Sequence, residues 1–510
     1  MLLRAKNFHH NNRVSNRLNG VFMMLLLPFQ ISIVHAETSK SYFQSVKDGI
    51  GKLVAPEPTR SGYKIDITEL SNYKLDTSRV RELPSVSLTS VASQSNSAHS
   101  VAKLDVNQAV HIAVQRRPEI TQSISTLSSQ MANIDVAKAG YYPQISGGIG
   151  TADLTKGERG RQLVSLNATQ MLYDFGKVKT SVNVEEAKLA QDQARVLVSL
   201  DEISYDVANA IVNIKRYQEI TKIAHQQIAG ISRIAEIANL RAKAGISSQA
   251  DPIQAQSNLE AAESNLIVQQ TQLRQYQHRL RTLLGFDVSN TSWELPISWV
   301  EQAHLYDEPN FTKIPSLMLA QAGVDVARLQ KDQVRLSAMP TINIKGSVSQ
   351  AINGRNPNNN EDDGLYNSVM IEANSNFYQG GATRSQTRAA SYAEEAARAQ
   401  VNTAYLDVLD QVRLIREEIE NKQRQMDILS QRRQTTVRTK ELYQEQYKLG
   451  TRTVVDLLNA EQAIHSAAQE IESARYDIYS SLVQYVQVTG RSRDTYDLNR
   501  ISIQGFEVQP

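Results

Sequence analysis

The side chains that could do chemistry are few in this chain, and their spacing rarely suits it. Of its 510 residues nine are His and none is Cys. His9 and His10 stand at the amino end, while His225, His278 and His465 fall on helical patterns with no second ligand at metal spacing. They read as ordinary helix residues. No GxSxG elbow, phosphate-cradling loop or zinc signature occurs. The lack of Cys removes thiolate chemistry and disulfides together. Acidic neighbours such as Glu185-Glu186 read as the solvated face of a coiled coil. The sequence therefore predicts no enzyme, no cofactor and no metal. Two carboxylates stand out by position instead. Asp251 and Asp456 each follow a Gly, at 245 and 450, and lie where a helical pattern begins. An acid there complements the helix dipole and can cap the first turn. Asp251, followed by Pro252, has the form of an N-cap with proline at N1.

Those acids belong to one stretch written twice. Arg241-Ala-Lys-Ala-Gly245-Ile-Ser-Ser-Gln-Ala-Asp251 answers to Gln446-Tyr-Lys-Leu-Gly450-Thr-Arg-Thr-Val-Val-Asp456 at an offset of 205 (450 − 245). Tyr173 with Tyr378, Gly176 with Gly381, Ala255 with Ala460 and Gly285 with Gly490 keep that offset. Pro118 with Pro315 and Pro143 with Pro340 are 197 apart, so eight residues are added once, between 340 and 378. The chain is a tandem repeat, and each repeat must form the same unit.

Each unit begins with helix. Leu104–Ile112, capped by Asp105 or Asn107, and a helix from Pro118 to about Ala139 open the first; Pro315–Ala338 opens the second. The period then changes to two. Ile145, Gly147 and Ile149, then Val164, Leu166 and Ala168, alternate with polar or small residues on either side of a loop over 153–160. In the second unit Ile342, Ile344, Gly346 and Val348, then Val369, Ile371 and Ala373, flank the polar loop 353–364. These are two β-hairpins (141–175 and 340–378), each strand about the 9–11 residues that cross a bilayer at a tilt. Half-buried hairpins of a water-soluble domain would have the same pattern.

The longest elements follow, at 177–243 and 382–448. Val196, Leu200, Ile203, Val207, Ala210, Ile214, Tyr217, Thr221, Ala224, Ile228, Ile231, Ala235 and Ala238 recur at steps of four and three, a left-handed coiled-coil seam. At 1.5 Å per residue such a helix is about 100 Å long, several times a bilayer core, and its outer face is charged, so it projects into water. The second copy repeats the seam at Val401, Tyr405, Val408, Val412, Ile415, Ile419, Met426 and Leu429, missing at Lys422, and weakens toward its tip at Arg433, Thr436 and Lys440. Return helices run over 251–284 and 456–489. With the opening helices they nearly match the long ones in length and are expected to stack end to end beside them.

The rest of the chain is less patterned. Residues 1–36 carry Arg4, Lys6, Arg13 and Arg17, an apolar run from Val21 to Val34 and small residues near Ala36, the form of a signal peptide. No Cys follows for lipid attachment. Removing those four cations takes the net charge from +2 to −2, and no basic stripe argues for nucleic acid. Residues 37–103 read as an extended or low-complexity lead-in, strapped to the body around Tyr63 to Leu75, 286–313 as a connector, and 491–510 as a polar tail. No later segment offers the roughly 20 apolar residues of a membrane helix, so an integral protein must use a closed barrel.

Leu172-Tyr-Asp-Phe-Gly176, the duplicated plan over 104–490 and above all Tyr447-Lys-Leu-Gly450-Thr-Arg-Thr-Val-Val-Asp456-Leu-Leu-Asn-Ala-Glu461 resemble the TolC family of outer-membrane channel-tunnels. The resemblance implies a mainly α protein with a membrane β-barrel. Three copies give four strands each to a twelve-stranded barrel, and their helices form a hollow periplasmic cylinder. It implies a location in the outer membrane of a Gram-negative bacterium. The implied partners are a periplasmic adaptor, an inner-membrane ABC or proton-driven transporter, and outer-membrane lipid. Asp456 matches the position whose symmetry copies ring the closed entrance, where carboxylates favour cations. Asn459 stands where many relatives carry a second acid. Arg452 and Tyr447 match residues that latch the second hairpin to its neighbour, with Asp251 as the matching acceptor, a breakable charged pair. The tips Gly245, Leu449, Gly450 and Thr451 match the adaptor-docking turns. The function implied is export, with type I protein secretion favoured over multidrug or metal efflux. A periplasmic coiled-coil adaptor or scaffold without a pore is the reading from another class.

Overall fold

The structure is a computed structural model that describes residues 103–154, 158–296, 299, 303–352, 354–356, 358–376, 378–503 and 505–508. The signal-peptide and lead-in readings lie outside them. In chain order the described elements are β1 (Lys103–Asp105), α1 (Val106–Arg116), α2 (Pro118–Lys138), β2 (Gln144–Leu154), β3 (Glu158–Tyr173), α3 (Lys177–Lys243) and α4 (Ala250–Leu284). β4 (Ser292–Glu294), α5 (Pro315–Leu336), β5 (Thr341–Ile352), β6 (Leu365–Asn374), α6 (Ala382–Lys448) and α7 (Val454–Val488) follow. A short α8 (Ser492–Thr495) and the pair β7 (Ser502–Ile503) and β8 (Phe506–Glu507) close the chain. Among the described residues no helix is long and apolar enough to cross a membrane.

Local chemistry sets the helix starts. The Asp105 side chain accepts from the Val106 amide at 2.7 Å and completes a capping box with Gln108. Pro118 and Pro315 open α2 and α5 at positions whose amides have no intrahelical acceptor. The two opening helices and the two return helices lie along the long ones. Against α3, α2 covers the first part, where Gln130 Nε2 donates to the Glu185 carbonyl at 3.0 Å and Ser123 meets Ser199 at 3.2 Å. α4 takes over from Asp206, which Arg279 reaches at 2.8 Å, and runs to the tip. In the second unit α5 and α7 stand beside α6 in the same way. The two units are joined by α3 packing on both α5 and α7 and by β3 pairing with β5. Toward the tips the helices form a row, α4–α3–α7–α6, with α4 and α6 at its ends.

The strands make one antiparallel sheet in the order β2–β3–β5–β6. Its register sorts side chains by face, because successive residues point to opposite sides. Ile145 pairs with Ala168, Ile149 with Val164, Leu166 with Val348, Gly346 with Val369 and Ile344 with Ile371, giving one apolar face across all four strands. That face is bare: Ile149 is 77% exposed and Val369 76%. The other face carries Ser165, Asn167, Thr169, Asn343, Ser347 and Ser368 and a Lys345–Glu372 ion pair. β2 continues to Leu154 and β3 starts at Glu158, so both strands reach into the stretch 153–160 that composition assigned to a loop.

The main core sits midway along the long helices. From Ala194 to Ile214 α3 is buried on nearly every side, against α1, the end of α4, Trp293, Trp299 and Tyr485. The connector contributes β4, which pairs in parallel with β1. The carboxyl segment belongs to this core too. Tyr496, Leu498, Ile503 and Val508 are buried in it, so the described residues of this segment, 491–503 and 505–508, form a packed strap and not the polar tail that composition implied.

Polar side chains interrupt the interhelical seams in two places. At Lys422, where the seam breaks, Asp477 of α7 accepts from both Lys422 of α6 at 2.7 Å and Arg216 of α3 at 2.5 Å. Nearer the tip, buried Glu461 of α7 pairs with Lys440 of α6 and with His465 at 3.1 Å. Although its burial raises the pKa, hydrogen bonds from His465 and Lys440 hold the Glu461 carboxyl below the usual range. Gly230 of α3 gives this cluster room: a Cβ there would lie 1.7 Å from Glu461 Oε1.

Two expectations follow. Leu498→Ala should destabilise the purified protein by about 2–5 kcal/mol, as for other buried leucines, and lower its unfolding midpoint; a midpoint unchanged from wild type would mean that the carboxyl strap is not packed. Gly→Ala inside a helix ordinarily stabilises by about 1 kcal/mol, but at Gly230 the sign should reverse, because Glu461 must be displaced from Lys440. A Gly230→Ala protein that melts higher than wild type would refute that account.

Candidate functional site at the helical tips

The long helices end alike. Gly245 (φ 73°) and Gly450 (φ 77°) occupy the left-handed region that L side chains disfavour. In each turn the Gly amide and the next one donate back into the helix: Gly245 to Ala242 and Ile246 to Arg241, Gly450 to Tyr447 and Thr451 to Gln446, at 2.9–3.1 Å. This is the Schellman arrangement. The turn residues Gly245, Leu449, Gly450 and Thr451 are all exposed, Leu449 at 79%.

Behind the turns the two hairpins share a small apolar cluster. Ile231, Ile234 and Ala238 of α3, Ala255 of α4, Tyr447 of α6 and Val454, Leu457 and Leu458 of α7 meet there. Tyr447 is 4% exposed, with the Arg241 guanidinium 4.8 Å from its ring centroid. Burial pushes the Tyr447 phenol up, Arg241 opposes the rise and Asp251 adds to it. Its hydroxyl has no hydrogen-bond partner within the described protomer. Arg241 also donates to the Lys448 carbonyl at 3.4 Å, so the ends of α3 and α6 stand level.

Asp456 is the N3 residue of α7. Thr453 Oγ1 donates to Asp456 Oδ2 at 2.9 Å, the Thr453 amide donates to the same oxygen at 3.3 Å, and the Asp456 amide returns to Thr453 Oγ1 at 3.3 Å. These bonds from Thr453, with Arg452 second, hold the Asp456 carboxyl below its usual range. Thr453-x-x-Asp456 is a capping-box pattern, legible in the sequence. Asn459 lies one turn further along α7 and is exposed.

Arg452 turns inward. Its Nε donates to Gln446 Oε1 at 3.0 Å, an η nitrogen lies 3.7 Å from Asp456 Oδ2, and its guanidinium stacks 4.6 Å from the Tyr443 ring centroid. Within one protomer Arg452 is therefore paired with Asp456 and not with Asp251. Proximity decides this, because Asp456 is four residues away on the same turn. Asp251 is not the N-cap either. Gln249 holds that position, Ser248 Oγ accepts from the Ala250 amide at 3.1 Å, and Asp251 is the second helical residue. The N-cap side chain itself makes no capping bond, and the first helical amide is met by Ser248, one residue before the cap, and not by the acid that the Asp-Pro pattern suggested. Among the described residues no three His, Asp or Glu side chains converge as metal ligands would. The arrangement can bind and release charge but offers no nucleophile beside a base.

The chain matches the outer membrane efflux protein family over residues 109–286 and 313–491, once for each repeat. It is 24% identical over 416 residues to the outer membrane protein TolC of Vibrio cholerae serotype O1, covering 79% of this chain and 92% of the relative. A shorter likeness, 29% over 168 residues, covers 32% of this chain and 34% of the alkaline protease secretion protein AprF of Pseudomonas aeruginosa. The crystal structure of the outer membrane protein VceC from Vibrio cholerae superposes with a TM-score of 0.65 at 16% identity, covering 76% of this chain and 96% of that one.

The capping box titrates. Asp456 has a folded pKa below the 3.8 of the free group, so it contributes stability above that value and loses it as pH falls through the folded pKa. In a carboxyl-carbon NMR titration its midpoint should lie below 3.8, and Thr453→Val should move it upward. An unmoved midpoint in the Thr453 variant would remove the capping box as the cause.

Proposed function

Since the chain belongs to the outer membrane efflux protein family, a family of outer-membrane channels and not of enzymes, we propose that three copies form a passive export duct, supplied with energy at the inner membrane. In this reading each protomer contributes its sheet to one twelve-stranded barrel, and the helices build a hollow cylinder reaching to the transporter through a periplasmic adaptor. The observation that carries it is the sheet: four strands of 10–16 residues, one face mainly apolar with Gln170, Gln350 and Asn367 on it, and one face mainly polar. About 9–11 residues suffice to cross a bilayer at a tilt, and alternation of lipid-facing and lumen-facing residues is what a membrane barrel requires. β2 and β6 each leave one edge unpaired, and hydrocarbon does not tolerate such edges. Pairing β6 with β2 of the next copy satisfies both. A pore-less scaffold needs neither the apolar face nor the open edges.

At the other end Asp456, with Asn459 one turn on, lines a cation-favouring entrance. Arg452 has two carboxylates to choose between. In the closed trimer it reaches Asp251 of the neighbouring copy, with Tyr447 beside it, and in the released state it folds back on its own Asp456, as in the single protomer. The exposed turns at Gly245 and at Leu449-Gly450-Thr451 take the adaptor. The cargo is a protein in a type I secretion pathway. The likeness to a relative named as a protease secretion protein supports this, as does the Tyr173-Asp-Phe-Gly176 strand end. Small-molecule efflux is the runner-up and has the family's own description behind it.

Planar-bilayer recording tests the duct and the acidic ring together. Wild type should give a small, cation-preferring conductance, and Asp456→Ala should enlarge it or abolish the preference. A conductance indifferent to the substitution would sink the role of Asp456 and keep the duct. Well-folded protein that never inserts would favour the scaffold.

A further inference from the structure

The row α4–α3–α7–α6 has two free ends, and both carry apolar residues at heptad spacing. On α4 these are Ile253 and Ile267, 71% and 60% exposed. On α6 they are Ile428 and Leu442, 66% and 59% exposed. In each pair the two residues are fourteen apart, two full heptads, so they lie on one side of the helix. α3 and α7, inside the row, have their seams covered by neighbours of the same chain.

Charge divides the two ends as well. From Asp251 to Leu273, α4 has the acids Asp251, Glu260 and Glu263 and no Lys or Arg. Between Ile428 and Leu442, α6 has Arg432, Arg433, Arg438 and Lys440 against one acid, Glu441. Arg432 and Lys440 are engaged by Glu470 and Glu461 of α7. Among the described residues no carboxylate pairs with Arg433 or Arg438.

The levels match. The ends of α3 and α6 stand side by side, as the Arg241–Lys448 bond shows, and α4 starts from the same tip. Glu260 is ten residues above the start of α4 and Arg438 ten above the end of α6, so both lie about 15 Å from the tip at 1.5 Å per residue. By the same measure Ile253 and Leu442 lie at about 5 and 9 Å, and Ile267 and Ile428 at about 26 and 30 Å. Glu260 and Arg438 thus fall between two apolar contacts.

We infer that α6 of one copy packs antiparallel against α4 of the next, through Leu442 on Ile253 and Ile428 on Ile267, with Arg438 paired to Glu260 between them. The inference rests on the trimeric reading above and specifies the seam that closes its helical wall. The alternative closure, α4 against α4 and α6 against α6, would bring like charges together along both seams and would not propagate around a three-fold axis.

The absence of Cys makes the test direct. In full-length detergent-solubilised protein, Glu260→Cys with Arg438→Cys introduces the only two thiols. A short bismaleimide should then link each copy to the next and give covalent dimers and trimers. Glu260→Cys with Ile428→Cys, about 15 Å apart along the axis, should give none. Glu260→Arg or Arg438→Glu alone should raise the dissociated fraction several-fold at fixed concentration, and the two together should restore wild-type assembly. Native mass spectrometry separates the two possible failures. Trimers that do not cross-link at 260 and 438, or charge reversals that fail to rescue each other, overturn the seam and leave the duct standing. A monomer overturns both.

Discussion

Everything in this protein hangs on α3. It touches α1, α2, α4, α5, α7 and α8, and between Ala194 and Ile214 it is buried nearly all round. A helix apolar on so many sides is stable only inside other helices. Its duplicate, α6, has the same 67 residues and the same ends but buries far fewer of them: Val408, Val412, Ile415 and Ile419 near the middle, and little else. Duplication therefore gave one core helix and one edge helix. The difference lies in sequence. Where α3 has Ile231, Ala235 and Ala238 toward its tip, α6 has Thr436, Lys440 and Tyr443. An edge helix that still exposes Ile428 and Leu442 is a surface waiting for a partner.

The elements legible in the sequence were those set by local pattern: the long helices, the turn glycines, the proline-started helices and the alternating hairpins. Periodicity sees such features because each needs only neighbours within one or two turns. The carboxyl strap escaped it. Tyr496, Leu498, Ile503 and Val508 have no shared period, and their partners lie hundreds of residues upstream. The tip was half legible. Gly450 marked its turn and Asp456 the start of a helix, while the part of Thr453 in the capping box went unread although the pattern stands in the sequence. That α4 would start at Ala250, leaving Asp251 inside its first turn, depends on a backbone choice among several polar residues from Ser247 to Asp251, which residue type alone does not decide.

The polar interruptions of the seams carry a different lesson. Lys422 and Lys440 read as weaknesses, yet each meets a carboxylate of α7, at Asp477 and Glu461. Such half-buried ion pairs add little over apolar residues of the same size, but removing one partner strands a charge. Their consequence is alignment. If α7 slid one heptad along α6, Asp477 would lose both Lys422 and Arg216, and Glu461 would lose its place over Gly230. A smooth apolar seam tolerates such a slip, because one heptad of leucines resembles the next. Two ionic steps do not.

That alignment matters because the protein does no chemistry of its own, so geometry is all it can contribute. The sheet fixes where the strand edges lie, the ionic steps fix the height of the tips, and the turn glycines fix the direction of the return helices. Each leaves something unfinished in a single copy: two open strand edges, two bare helix faces, an Arg452 folded onto its own Asp456. A monomer satisfying all of these would leave nothing for a second copy to complete. In the proposed duct the same groups that one copy leaves over are those that a second copy supplies. Closing the barrel and closing the wall then become one event, because the strands and helices of each repeat are continuous through Phe175-Gly176 and Gly381.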